Sequence, residues 1–187
     1  MNSLPPWRPL LRAALQREGR SFNSRWLQLA TVASDGTPRV RTLVFRGWSA
    51  PTVLDLFTDG RSQKSRELTN SQDVEICWLL PRARSQFRIR SCLTRHSEAE
   101  LLNLRRNHWQ NLTPSARALW GWPSPGLPFE ENAEFPQELD EATPMPSHFE
   151  LLSFDVIQVE LLELGGQPHH RRRWLASTAW SEELLNP

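Results

Sequence analysis

Tyrosine is absent from the 187 residues of this chain, so no phenolic acid or base can serve in its chemistry. Cysteine is scarce, with Cys77 and Cys92 the whole complement. Both lie inside apolar, strand-like stretches, which predicts buried free thiols in a reducing compartment rather than a disulfide. No cluster has zinc-ligand spacing, so no metal site is expected. No apolar run approaches the roughly 20 residues that span a bilayer. The stretch Met1 to Trp7 lacks the basic and apolar segments of a secretion signal, and a cytoplasmic location is expected. Charge of one sign is missing too: 22 basic against 21 acidic residues leave a net +1. That balance argues against a general nucleic-acid or anionic-membrane binder, since either favours a large basic excess. The glycine-rich loops of dinucleotide and nucleoside-triphosphate sites do not occur, nor does a Gly-x-Ser-x-Gly elbow.

What is present reads as one domain, 1–187, long enough to bury a full core. Apolar residues at Trp7, Leu10, Leu11, Ala14 and Leu15 predict a helix from Trp7 to Glu18, closed by Gly19. Trp26–Ala33 and Pro38–Trp48 read as strands joined in a hairpin through Asp35-Gly36. Thr52–Thr58 is a third strand, and Ser62–Leu68 a short helix with Ser62 as its N-cap. Val74–Leu80 and the alternating Ser85–Thr94 are further strands. Ser97 with Glu100 forms a capping-box pattern for a helix to about Trp109. Thr113-Pro114 opens another short helix, through Leu119. Residues 121–147 hold six prolines and form a long irregular segment. A long, bent strand Phe149–Leu164 follows, and after Gly165-Gly166 a last strand runs from His169 to Ser177. Successive hairpins with short helices between them predict a mainly β, antiparallel, closed barrel with peripheral helices.

The stretch Leu27–Lys64 concentrates the candidate chemistry. Residues two apart on a strand share a face, which aligns Arg39 and Arg41. The arginine fork suits phosphate. Ser62 and Lys64 lie where a helix starts, and free backbone N–H groups there favour anions. Half-exposed antiparallel strands also carry solvated arginines, so the strand by itself leaves both readings open. A second cluster is His169-His170-Arg171-Arg172-Arg173-Trp174, a basic run that reads equally as a solvated patch. Gln86 is a third candidate, able to offer a donor and an acceptor to a polar ring edge or to water.

In order and spacing, several segments resemble the pyridoxamine 5'-phosphate oxidase-like FMN-binding split barrels. Asp35-Gly36-x-Pro38 is similar to that family's first hairpin. Arg41-Thr42-Leu43-Val44-Phe45-Arg46-Gly47 is similar to its Arg-x-Val-Leu-Leu-Lys-Gly strand, and Phe57-Thr58-Asp59-x-x-Ser62-Gln63-Lys64 to its Tyr-Thr-Asn-x-x-Ser-Arg-Lys segment. Arg84 to Ile89 resembles its Arg-Gln-Val-x-Val region. Gly165-Gly166, Arg171 to Trp174 and Leu185-Asn186-Pro187 resemble its C-terminal close.

The resemblance implies an antiparallel Greek-key split barrel, with FMN held at a homodimer interface. By position, Arg41, Ser62 and Lys64 would bind the phosphate, with Gln63 beside them. Thr42, Leu43, Val44, Phe57 and Thr58 would run along the flavin ring, and Gln86 and Arg173 would reach it. It implies an FMN-dependent oxidoreductase acting on a small molecule, with His169, His170 and Arg171 on the substrate side. A non-catalytic flavin-binding sensor or carrier is the alternative, and a haem-binding relative a third. The family's substrate-binding Arg-Leu-His is His169-His170-Arg171 here, its substrate-contacting tyrosine has no counterpart, and Trp109 to Pro146 does not align with its pyridoxal-phosphate pocket. Flavin binding is therefore better supported than oxidation of pyridoxamine phosphate, and the chain is most similar to the branch found in cyanobacteria and plants.

Overall fold

The computed structural model describes residues 4–187, so Met1–Ser3 of the N-terminal reading lie outside the described residues. Helix α1 (Trp7–Glu18) precedes β1 (Trp26–Val32), β2 (Pro38–Trp48) and β3 (Val53–Asp59). Then come α2 (Gln63–Asn70), β4 (Asp73–Leu80), β5 (Ser85–Leu93), α3 (Glu98–Gln110) and α4 (Pro114–Arg117). The chain closes with β6 (Phe149–Glu163), β7 (His170–Leu175) and β8 (Glu182–Leu185). The eight strands are antiparallel in the order β3-β2-β1-β4-β5-β6-β7-β8, and a further β3–β6 pairing closes six of them into a barrel.

The β1–β2 hairpin forms as its turn residues dictate. Gly36 takes φ +80°, open to glycine without strain, and the Asp35 carboxylate accepts the Thr37 backbone N–H at 3.0 Å. Strand β6 is paired by β3 over Phe149–Asp155 and by β5 over Phe154–Glu163. A register shift at Arg90/Ser91 supplies the predicted bend. The barrel interior holds Trp78, Phe87, Phe154 and Trp174, and α1 plugs it with Trp7, Leu11 and Ala14. Cys77 and Cys92 are free and half-buried.

Two expectations change. The Ser97 hydroxyl accepts the Glu100 N–H at 3.3 Å, but the Glu100 carboxylate faces His96 at 3.4 Å, so only half a capping box forms. The predicted last strand is followed by another, β8, paired with β7. Its Glu-Glu-Leu-Leu sequence has no alternation and no β-branched residue, which left it invisible to pattern reading.

A second core sits outside the barrel. Trp109 of α3, Trp120 and Phe149 pack edge-on, with ring centroids 4.8–5.9 Å apart. Buried Arg117 fixes this unit by donating to Trp109 O (3.2 Å), Gln110 O (3.2 Å) and Asp140 O (3.0 Å). The first two are carbonyls of the last turn of α3, Trp109 O also accepting Leu112 N–H at 3.1 Å, and there a cation meets the helix dipole. Arg117→Met keeps packing but loses these bonds. It should cost about 3 kcal/mol in denaturant unfolding and speed proteolytic cleavage within 121–147. Unchanged cleavage would show that other contacts hold the segment.

Candidate functional site

The site begins where β3 ends. Ser62 N donates to Asp59 O at 3.0 Å, turning the chain. Arg61 grips the Asp59 carboxylate at 2.6 Å and donates to Trp122 O at 3.0 Å, so the turn is tied to the segment after α4. Burial pushes the Asp59 carboxyl up, but the bonds and charge of Arg61 outweigh it and hold it below its ordinary value. Ser62 occupies the N-cap position of α2, yet its side chain makes no capping bond. Its hydroxyl instead accepts from Lys64 Nζ at 3.1 Å, and Thr58 Oγ1 accepts from the same ammonium at 2.7 Å. Burial, then the charge of Arg41, push the Lys64 ammonium below its ordinary pKa. A desolvated cation, two hydroxyls and an uncapped helix start converge: an anion cradle by chemistry.

Arg41 stands beside it. Its guanidinium pairs with Glu67 Oε2 at 2.6 Å and also bonds the Thr31 hydroxyl. Thr31 in turn donates to Glu67 at 2.5 Å. Desolvation raises the Glu67 pKa, but the bonds from Thr31 and Arg41 dominate and hold it below its ordinary value. Arg39 shares the face that spacing predicts, but its nearest carboxylate is Asp35 at 3.7 Å, in solvent.

Next to the cradle a cavity of 240 Å³ is lined by Thr42, Leu43, Val44, Phe57 and Thr58, together with Arg46, Asp59, Leu119 and Trp120. The first five were predicted from sequence. Arg46 was missed, although it lies two residues past Val44, and the same period-2 reasoning finds it. Its guanidinium sits 5.1 Å from the Phe57 ring centre. Leu119 and Trp120 carried no local signal, because Trp120 reaches the site only through its indole N–H on Thr58 O at 3.3 Å.

The remaining predicted residues are elsewhere. Gln63 is exposed at the first position of α2. Gln86, on β5, pairs with Leu79 of β4 and lies three strand spacings from β2, or about 14 Å. Arg173 bonds Glu183 at 2.7 Å, Arg171 bonds Glu160 at 2.5 Å, and His169 Nδ1 contacts Gly166 O at 2.9 Å. His170 is exposed. Within one chain, then, the residues expected at a phosphate and a ring come together, Gln63 apart, while Gln86, Arg173 and the His169–Arg171 group do not join them.

A closed antiparallel barrel with an anion cradle beside an apolar cleft defines a split-barrel cofactor-binding protein. The model of the pyridoxamine 5'-phosphate oxidase FMN-binding domain matches residues 4–96, which include the cradle. A pyridoxamine 5'-phosphate oxidase-related, FMN-binding protein from Nostoc punctiforme is 40% identical, with a TM-score of 0.89 and full coverage of both chains. Pyridoxine/pyridoxamine 5'-phosphate oxidase 2 of Arabidopsis thaliana is 29% identical over 196 residues, 97% of each chain. PhzG from Burkholderia lata, 19% identical over 99% of this chain and 94% of its own, with a TM-score of 0.73, shares the fold. The chain belongs to the pyridoxamine 5'-phosphate oxidase-like FMN-binding family, and its similarity to a cyanobacterial and a plant protein agrees with the branch read from its sequence. FMN is this family's cofactor, and the residues present fit it: cationic and hydroxyl donors for a phosphate, and an apolar slot for a ring.

The Arg41–Glu67 pair makes a pH-dependent contribution. Because the Glu67 pKa is lowered on folding, its stabilisation is full above the ordinary value of 4.5 and is lost as pH falls through the lowered one. Glu67→Gln should cost about 3 kcal/mol at neutral pH. In urea unfolding the gap to the parent should narrow as pH falls below 4.5; a gap that widens in acid contradicts this linkage.

Proposed function

We propose that this protein is a cytoplasmic, single-domain, FMN-dependent oxidoreductase acting on a small molecule, working as a homodimer with the flavin at the interface. The observation that carries this reading is the Lys64–Ser62–Thr58 cradle opening beside the apolar cleft. Lys64, both hydroxyls and the first N–H groups of α2 hold the phosphate, and Arg41 adds a charge already balanced by Glu67. Thr42, Leu43, Val44 and Phe57 run along the ring, while Leu119 and Trp120 exclude water from it. When bound, FMN supplies two-electron chemistry, accepting or donating a hydride.

The dimer is supported by the outer face of β1, β2 and β4, which exposes Trp26, Val32, Val40 and Leu79. This row lies between the cleft on β2 and Gln86 on β5. A second copy covering it would bring its own Gln86 and Arg173 to the flavin, with His169, His170 and Arg171 on the substrate side. Arg171 is tied to Glu160, which favours a second reading: flavin binding without turnover, as in a sensor or carrier. Reduction of bound flavin by NAD(P)H or a candidate amine, followed by reoxidation, separates the two.

Flavin absorbance after soaking with FMN tests the proposal, and a colourless protein overturns it. Lys64→Met should weaken FMN binding at least about tenfold. In the parent, affinity should fall as pH rises through the Lys64 pKa, which lies below the ordinary 10.5, because the neutral amine no longer attracts phosphate. Val40, 65% exposed, offers a test of the interface. Val40→Asp should shift the protein to monomer in sedimentation and weaken FMN with it. A dimer that survives places the interface elsewhere.

A further inference from the structure

A larger cavity, 410 Å³, adjoins the flavin cleft and shares Asp59 and Leu119 with it. Its walls are Trp122, Leu127, Phe129 and Phe135, supplied by the proline-rich segment. Phe129 stacks on Phe135 at 5.9 Å, and Trp122 meets Phe135 edge-on at 5.5 Å. The wall is held in place: the Trp122 indole donates to Pro136 O at 2.9 Å, and Arg61 of the cradle turn donates to Trp122 O at 3.0 Å. Phe129 and Leu127 are nonetheless 77% and 68% exposed. The volume falls within the roughly 300–1,000 Å³ of small-molecule sites.

The charge of this wall is one-sided. Residues 121–147 carry Glu130, Glu131, Glu134, Glu138, Asp140 and Glu141, and no lysine or arginine. Only Asp59 and Glu130 among the cavity residues are charged, and Asp59 is already bonded to Arg61. Arg61, the cation against this wall, is already committed to Asp59 and Trp122 O, so a phosphate or carboxylate here would find no free cationic partner among the lining residues, whereas an ammonium gains from the acidic field and from the aromatic faces.

We propose that this cavity is the substrate pocket of the flavin site, and that it takes a flat aromatic amine bearing no phosphate. The proposal rests on the flavin reading only in treating the neighbouring cleft as the cofactor site. It selects a small molecule over a second copy because the cavity is concave, continuous with the cleft and complementary in charge to a cation.

Three probes of one shape test it: 2-naphthylmethylamine, 2-naphthol and 2-naphthyl phosphate, titrated calorimetrically into FMN-loaded protein. The amine should bind tightest and the phosphate at least about tenfold more weakly than the amine. Phe129→Ala should weaken the amine about fivefold or more, and Glu130→Gln should narrow its advantage over naphthol. Phosphate binding as tight as that of the amine and sensitive to Phe129→Ala overturns the proposal, as does failure of every probe to bind, which is expected if a partner chain fills the cavity. The same titration on FMN-free Lys64→Met protein removes the cradle as a competing phosphate site. Loss of FMN binding with the probe order retained would overturn the flavin reading alone; FMN binding with the order lost would overturn this one alone.

Discussion

Strand β6 is the constraint on which the rest of the structure depends. It is 15 residues long, and nearly every backbone group along both its edges must find a partner. Its first half takes β3 and its second half takes β5 on one side and β7 on the other, which closes the barrel. The register with β3 sets Phe149 opposite Asp59 and Glu150 opposite Thr58, so it fixes where β3 stops and the cradle turn begins. Gly60 N then donates to His148 O at 2.8 Å, and Ser65 of α2 donates to Glu150 at 2.5 Å. Phe149 also enters the second core, while Arg105 donates to the carbonyls of Phe149 (2.6 Å) and Ser147 (2.8 Å). One strand start therefore locates the cradle, the helix behind it and the aromatic wall beside it.

Three cations surround the cradle, and they are compensated differently. Arg61 has Asp59, and Arg41 has Glu67. Lys64 has only hydroxyls within hydrogen-bond range among the described residues. Hydroxyls satisfy an ammonium's donors without neutralising its charge, so burial leaves the Lys64 ammonium destabilised. An arriving phosphate removes that deficit, so Lys64, unlike the paired Arg41 and Arg61, keeps its attraction for an anion unspent. Glu67 matters in the opposite sense: without its carboxylate, Arg41 and Lys64 would repel across a poorly solvated gap.

What could be read from the chain follows the range of the interactions. The hairpin at Asp35-Gly36, the bounds of α1 and the N-terminus of α3 are set by neighbours a few residues apart, and these were legible. Ser62 and Lys64 were legible as a cluster for the same reason. Ser62 was nonetheless misjudged in detail, because its hydroxyl serves Lys64 and leaves the helix uncapped. The Arg41–Glu67 pair spans 26 residues, and the Trp120–Thr58 bond 62. Neither leaves a periodic trace, so the wall of the cleft became visible only in three dimensions. The separation of Gln86 and Arg173 from the cleft was equally hidden, since sequence order does not say which residues one chain can gather by itself.

A net charge of +1 conceals the arrangement that gives the cleft its direction. Two charges of opposite character lie at its two ends: uncompensated Lys64 at the start of α2, and the acidic segment beyond Leu119. An anionic group placed toward Glu130 would lose hydration and meet like charge, while at Lys64 it replaces water with donors that are already oriented. A ligand with a phosphate at one end and an apolar ring at the other thus has one favourable orientation, phosphate on α2 and ring against Leu119 and Trp120. The acidic field then falls on whatever lies beyond the ring. On the proposed reading, the charge that would fix the cofactor is separated from the charge that would select its reaction partner, and a composition near neutrality is the sum of the two.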